Sequence, residues 1–149
     1  MVAVGVAPSS ASFGTWRISP STKADVKRYE SFVRDKIADL LTIAQARARA
    51  DKRDVIESRD LPITKGLQES IHRFRKIDLA AEVQPMLADI STRPQLDLTV
   101  AVDVDDLLPE VAGGLSLALG QSFRVIDPNV RNPATAQWER AMRIFDLLL

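Results

Sequence analysis

The stretch from about Lys23 to Ala50 constrains the chain most. Its apolar residues fall at Val26, Tyr29, Val33, Ile37, Leu40, Leu41, Ala44 and Ala48. Steps of three and four draw one stripe along an α-helix. Thr22 and Asp25 have the spacing of a capping box at its start. A helix of this length is a rod of roughly 40 Å. Such a rod cannot bury its own stripe and needs other helices crossing it.

The rest of the chain supplies those partners. Asp51 to Arg59 reads as a polar loop holding Val55 and Ile56. Asp60 is placed to cap a second helix, with Pro62 in its first turn. Ile63, Leu67, Ile71 and Phe74 give that helix a face, and the pattern runs on through Leu79, Val83, Leu87 and Ile90. Pro85 should kink or break it, so two helices are expected, divided near Asp78 to Pro85. A second long helix follows near Asp103 to Ile126, striped by Val104, Leu108, Val111, Leu115, Leu119 and Ile126. Gly113 and Gly114 cost helix propensity and are expected to permit a close backbone crossing. Asn132-Pro133 is the expected start of a last helix, faced by Trp138, Met142, Phe145 and Leu148. No segment shows strand alternation with hairpin signals. The order of long, medium, short, long and medium helices is a two-fold repeat in architecture, not in residues.

Chain-wide features narrow the class. A length of 149 residues with 46% hydrophobic and 27% charged residues suits one all-α domain with a real core. With no Cys there is no thiolate or disulfide chemistry, which suits a cytoplasmic location. No apolar run approaches a membrane span, and Met1 to Ser12 lacks the basic region of a signal peptide. Residues 1–20 read as an irregular segment containing Gly5, Pro8, Gly14 and Pro20, with Phe13, Trp16 and Ile18 available to pack a turn onto the core. Net charge is zero but unevenly spread: Lys and Arg exceed acids up to residue 80, and acids exceed bases after it. That split permits a nucleic-acid surface on the first half, or two oppositely charged halves that attract.

A long helix, a loop with Arg53 and Asp60 seven residues apart, and a shorter helix resemble the second part of a histone fold. Histones carry an Arg in this loop and an Asp seven residues on, joined in a salt bridge. More specifically, the chain resembles a bacterial family that looks like two histone folds fused in one chain, a pseudodimer. The stretches are Asp25-Val-Lys-Arg-Tyr29, Asp54-Val-Ile-Glu57, Asp60-Leu-Pro-Ile-Thr-Lys-Gly-Leu-Gln-Glu69, Ile71-His-Arg-Phe-Arg-Lys76, Leu107-Leu-Pro-Glu-Val-Ala-Gly-Gly-Leu115, Trp138-Glu-Arg-Ala141 and Phe145-Asp-Leu-Leu-Leu149. The resemblance implies one double histone-fold domain over residues 21–149, with halves of about 21–78 and 79–149. It brings a fold and no settled biochemical task. Two departures stand out. Family members usually open with an amphipathic helix carrying aromatic and basic residues, whereas here the segment is Ser9-Ser-Ala-Ser-Phe-Gly-Thr-Trp-Arg17, with Gly14 and Pro20, which departs from that pattern. DNA-wrapping histones follow the loop Arg with a basic residue and Thr, whereas Asp54 and Val55 stand here, and Asp54 repels phosphate.

Histone halves pair head to tail, so the resemblance implies two loop pairs. Lys52 and Arg53 would lie near Arg93, and Arg17 and Lys23 near Arg131. Both sets are candidate DNA-phosphate contacts; alternatively, Arg53 is used up by Asp60 and the others are solvated charges. His72-Arg73-Phe74-Arg75-Lys76 is a basic run that either meets nucleic acid or forms a solvated helix face. Asp103, Asp105 and Asp106 lack the glycine and distal Glu of a calcium loop and suit a helix N-terminus. His72, the only His, has no nucleophile set beside it by spacing. No catalytic, cofactor, metal or small-molecule site is expected. The sequence supports a non-enzymatic histone-fold protein with weak, salt-sensitive, non-sequence-specific binding to duplex DNA and association with the nucleoid. The alternative is a protein-interaction or dimerisation module that no longer binds DNA, associating with itself or another protein through its third helices, with Leu147-Leu148-Leu149 as part of the seam.

Overall fold

A computed structural model describes residues 23–78 and 80–149. They are mostly helical, in the order α1 (Lys23–Ala50), α2 (Lys65–Arg75), α3 (Ala80–Ile90), α4 (Val102–Ile126) and α5 (Thr135–Leu148). Two short strands, β1 (Val55–Ile56) and β2 (Thr99–Val100), pair in parallel. Thus the loop after α1 and the loop before α4 are stitched together. The sequence holds no hint of this pairing, because two residues are too few to alternate. Arg17, Thr22 and the expected irregular segment lie outside the described residues.

The α1 stripe is buried, with Val33, Ile37, Leu41, Ala44 and Ala48 wholly enclosed. In α4, Val104, Val111, Ala112 and Leu115 are equally enclosed. The two long helices meet where the Tyr29 hydroxyl lies 2.6 Å from Ser116 Oγ. Ser116 donates its single proton to the Ala112 carbonyl at 2.7 Å, so Tyr29 is the donor between the helices. Burial pushes the Tyr29 phenol far above its ordinary pKa, partly opposed by the Ser116 hydrogen bond, and it stays a protonated donor at any working pH.

Several boundaries differ from the sequence reading. Asp60 does not cap α2: it closes a 3₁₀ turn, Ser58–Asp60, and Thr64 caps α2, its hydroxyl accepting from Leu67 N at 3.3 Å. Pro62 therefore precedes the helix. Pro85 divides nothing; it sits inside α3, and the break falls after Arg75. Its missing N–H forfeits one helical bond, toward the Ala81 carbonyl. Pro109 is likewise inside α4 and buried. The last helix begins at Thr135, two residues after Pro133, where the Gln137 carboxamide accepts from Ala134 N at 2.8 Å.

Gly113 and Gly114 mark a close approach, but to α2 rather than to the other long helix. A Cβ on Gly113 would fall 2.5 Å from the Phe74 ring, and one on Gly114 would fall 2.6 Å from Ile71 Cγ1 and 2.9 Å from its backbone N. Packing of α2 on α4 is the most extensive helix contact. The helix α5 docks through two edge-to-face ring pairs, Phe145 on Phe32 and Trp138 on Phe123, each with centroids 4.9 Å apart.

Candidate interaction surfaces

The turn that ends α1 builds the first surface. Arg53 N bonds the Ala48 carbonyl and Lys52 N the Arg49 carbonyl, both at 2.9 Å. This is a Schellman closure, with Lys52 at φ 59° in the left-handed position that glycine usually fills. The closure aims Arg53 back across the loop. Its guanidinium grips Asp60 with both arms, at 2.6 and 2.8 Å. It also reaches Asp51 at 3.0 Å and Glu57 at 3.2 Å. Asp60 is buried and accepts from Glu57 N at 2.8 Å as well. The Arg53 hydrogen bonds, aided by that backbone bond, outweigh burial and hold the Asp60 carboxyl down at about 2. Arg53 is held still further above its ordinary value, chiefly by the bond to Asp60.

The β1–β2 pair brings the Lys52–Arg53 loop alongside the loop carrying Arg93, but these three cations do not form an open cradle. Arg93 turns to Asp105 in the first turn of α4, at 2.7 Å. Arg49 pairs with Asp97 at 2.6 Å. Gln45 ties the loop to α1, its side-chain oxygen accepting from Asp97 N and Leu98 N. Lys52 is left without an ion pair among the described residues and stands between Asp51 and Asp54, while Arg47 donates to the Asp60 carbonyl at 3.4 Å. The acids of this end, among them Asp51, Glu57, Asp60, Asp97 and Asp105, are largely matched by Arg49, Arg53, Arg59 and Arg93, so it presents no surplus of free cations. Asp103 accepts from Ser58 at 3.2 Å. Among the described residues no three acidic or His side chains are grouped to hold a metal.

The opposite end differs. Arg28 donates to Thr135 Oγ1 at 2.9 Å and pairs with Asp25 at 3.2 Å, so the start of α1 lies against the start of α5. Lys23, Lys27 and Arg131 are exposed there with no ion pair among the described residues. Of the basic run on α2, Phe74 is core, Arg75 pairs with Glu110 at 2.6 Å, and His72, Arg73 and Lys76 are exposed.

Between α2, α4 and α5 lies an open groove of about 360 Å³. Leu67, Ala118, Phe145 and Leu149 help to line it. Val125, Ile144 and Leu148 line it too, and they are 82%, 39% and 70% exposed. Leu148 therefore does not join the core face of α5, and Leu147 is 84% exposed. The polar fringe includes Gln121, Ser122, Glu69 and Arg73. Glu69 pairs with Lys65 at 3.2 Å; Arg73 pairs with nothing described.

Sequence reading did not single out Phe32, Lys36 or Asp146. Lys36 is buried and ion-paired with Asp146 of α5. One signal was present: Lys36 falls between Val33 and Leu40 on the apolar stripe, where a long cation must either be paired or emerge.

No helix among the described residues is long and apolar enough to cross a membrane. A crystal structure of a protein from Thermus thermophilus is similar over 94% of this chain and 95% of that one, with TM-score 0.80 and 43% identity. One from Aquifex aeolicus is similar over 83% and 82%, with TM-score 0.72 and 28% identity. An uncharacterized protein from Aquifex aeolicus (strain VF5) is 38% identical over 74 residues, half of this chain. That match spans only 43% of the relative's own length. Residues 20–146 match the family described as Domain of unknown function (DUF1931), and the chain belongs to it.

Proposed function

We propose that this chain is a non-enzymatic, double histone-fold protein whose working surface is the apolar groove between α2, α4 and α5, and whose task is association with other proteins. The exposed apolar lining of that groove carries the reading. A contiguous apolar patch open to water marks a binding surface on a soluble chain more often than a scattered leucine does. The histone-like reading is supported by the parallel β1–β2 pair joining loops of the two halves and by the Arg53–Asp60 grip. The standard histone hold on phosphate is not favoured at that end, because Arg53 and Arg93 are already engaged and Asp54 follows the loop arginine.

A double substitution, Val125→Asp with Leu148→Asp, tests the reading. Both side chains are exposed, so the thermal midpoint should stay within a few degrees of wild type. Binding of amphipathic helical peptides, followed by fluorescence anisotropy, should be lost. If wild type binds no amphipathic helix of either charge, or the double variant binds as well as wild type, the reading fails.

A second reading has its own support. The Arg28–Thr135 bond gathers Lys23, Lys27 and Arg131 at one end, where weak duplex-DNA contact would be single-ended. Three phosphate contacts give a log–log salt slope of about −2 to −3. Lys23→Glu with Arg131→Glu should abolish such binding, and Lys52→Glu should leave it unchanged. No affinity even at low salt removes DNA from the account.

A further inference from the structure

We infer that the groove between α2, α4 and α5 takes an acidic amphipathic helix of another protein, its leucine-like side chains in the groove and a carboxylate on Arg73 at the rim. The inference rests on the groove being the working surface and specifies what fills it.

Charge selects the occupant. Arg73 stands on the groove wall, exposed and without an ion pair among the described residues. The single acid on the wall, Glu69, already has Lys65 as its partner. The unmatched charge of the rim is therefore positive, beside an apolar floor of Leu67, Ala118 and Phe145. A second copy docked through the same groove would bring a rim of the same positive sign against it, which electrostatic complementarity disfavours. A basic helix meets the same repulsion. An acidic helix gains on both counts: its apolar face displaces water from Val125 and Leu148, and its carboxylates find the Arg73 guanidinium. Helix-in-groove recognition of this kind reads apolar anchors at helical spacing. Apolar burial supplies most of the affinity and the rim charges supply selectivity.

The experiment uses the full chain and two synthetic helical peptides of equal length. Both carry Leu at positions i, i+3 and i+7; one has Glu at its remaining polar positions and the other Lys. Anisotropy titrations should show the Glu peptide binding at least about tenfold tighter than the Lys peptide. Arg73→Glu should weaken the Glu peptide about fivefold and strengthen the Lys peptide. Val125→Asp should weaken the Glu peptide about tenfold or more. Equal binding of the two peptides, or no response to Arg73→Glu, overturns the acidic-partner inference while leaving the groove in use. A concentration-dependent dimer in light scattering that Leu148→Asp abolishes assigns the groove to a second copy instead. Binding that ignores Val125→Asp overturns the groove itself.

Discussion

Asp60 is buried beneath the loop it organises, with both carboxylate oxygens on Arg53 and the Glu57 amide also pointing at it. Its carboxyl titrates near 2 in the folded chain against 3.8 ordinarily. A carboxyl depressed by folding stabilises the native state above its ordinary pKa, and that contribution fades as the pH falls through the folded value. Thermal stability should therefore drop between about pH 4 and pH 2. Asp60→Asn should lower stability at neutral pH by about 2 kcal/mol, because it removes the buried carboxylate that takes both arms of the guanidinium and leaves Arg53 only Asp51 and Glu57. It should also flatten that acid limb; an unchanged slope in the variant would assign the acid loss to other carboxylates. This pair was legible in the sequence, since Arg53 and Asp60 are close along the chain and follow a recognisable helix end. Lys36 and Asp146 were not, because their contact joins helices at opposite ends of the chain and no local spacing encodes it.

The long helices were legible for a related reason: a stripe repeated through many turns overrides local exceptions. Helix ends are set by single hydrogen bonds and were read less well. Asp60 looks like a cap, yet its oxygens are committed to Arg53 and Glu57, so the role passes to Thr64. Pro85 reads as a breaker, yet it stands in the middle of α3 and forfeits the bond to the Ala81 carbonyl without ending the helix. At the Gly113–Gly114 step the sequence indicates a close crossing but cannot name the helix that crosses. That helix is α2, and its backbone at Ile71 cannot withdraw without moving Phe74 from the core. Gly114→Ala should therefore destabilise the chain by about 2 kcal/mol or more, although alanine is the better helix former by about 1 kcal/mol. Urea unfolding measures it, and a neutral or stabilising result would show that α2 can shift at little cost.

Across the whole molecule, charge and apolar surface are sorted. The stitched loops hold paired charges, Lys23, Lys27 and Arg131 are exposed without an ion pair among the described residues, and the apolar groove lies between α2, α4 and α5. The groove was not legible in the sequence: its walls come from three separated helices. A stripe of i, i+3 and i+4 residues also cannot show how far a covering helix reaches, so Leu148 read as core and is exposed. The most direct test of the groove as working surface is amide hydrogen exchange of the full chain, with and without a saturating acidic amphipathic helix. Added protection is expected over 64–73, 118–125 and 144–149, with none over 51–60 or 91–100. Protection confined to the stitched loops, or none anywhere, would contradict the account.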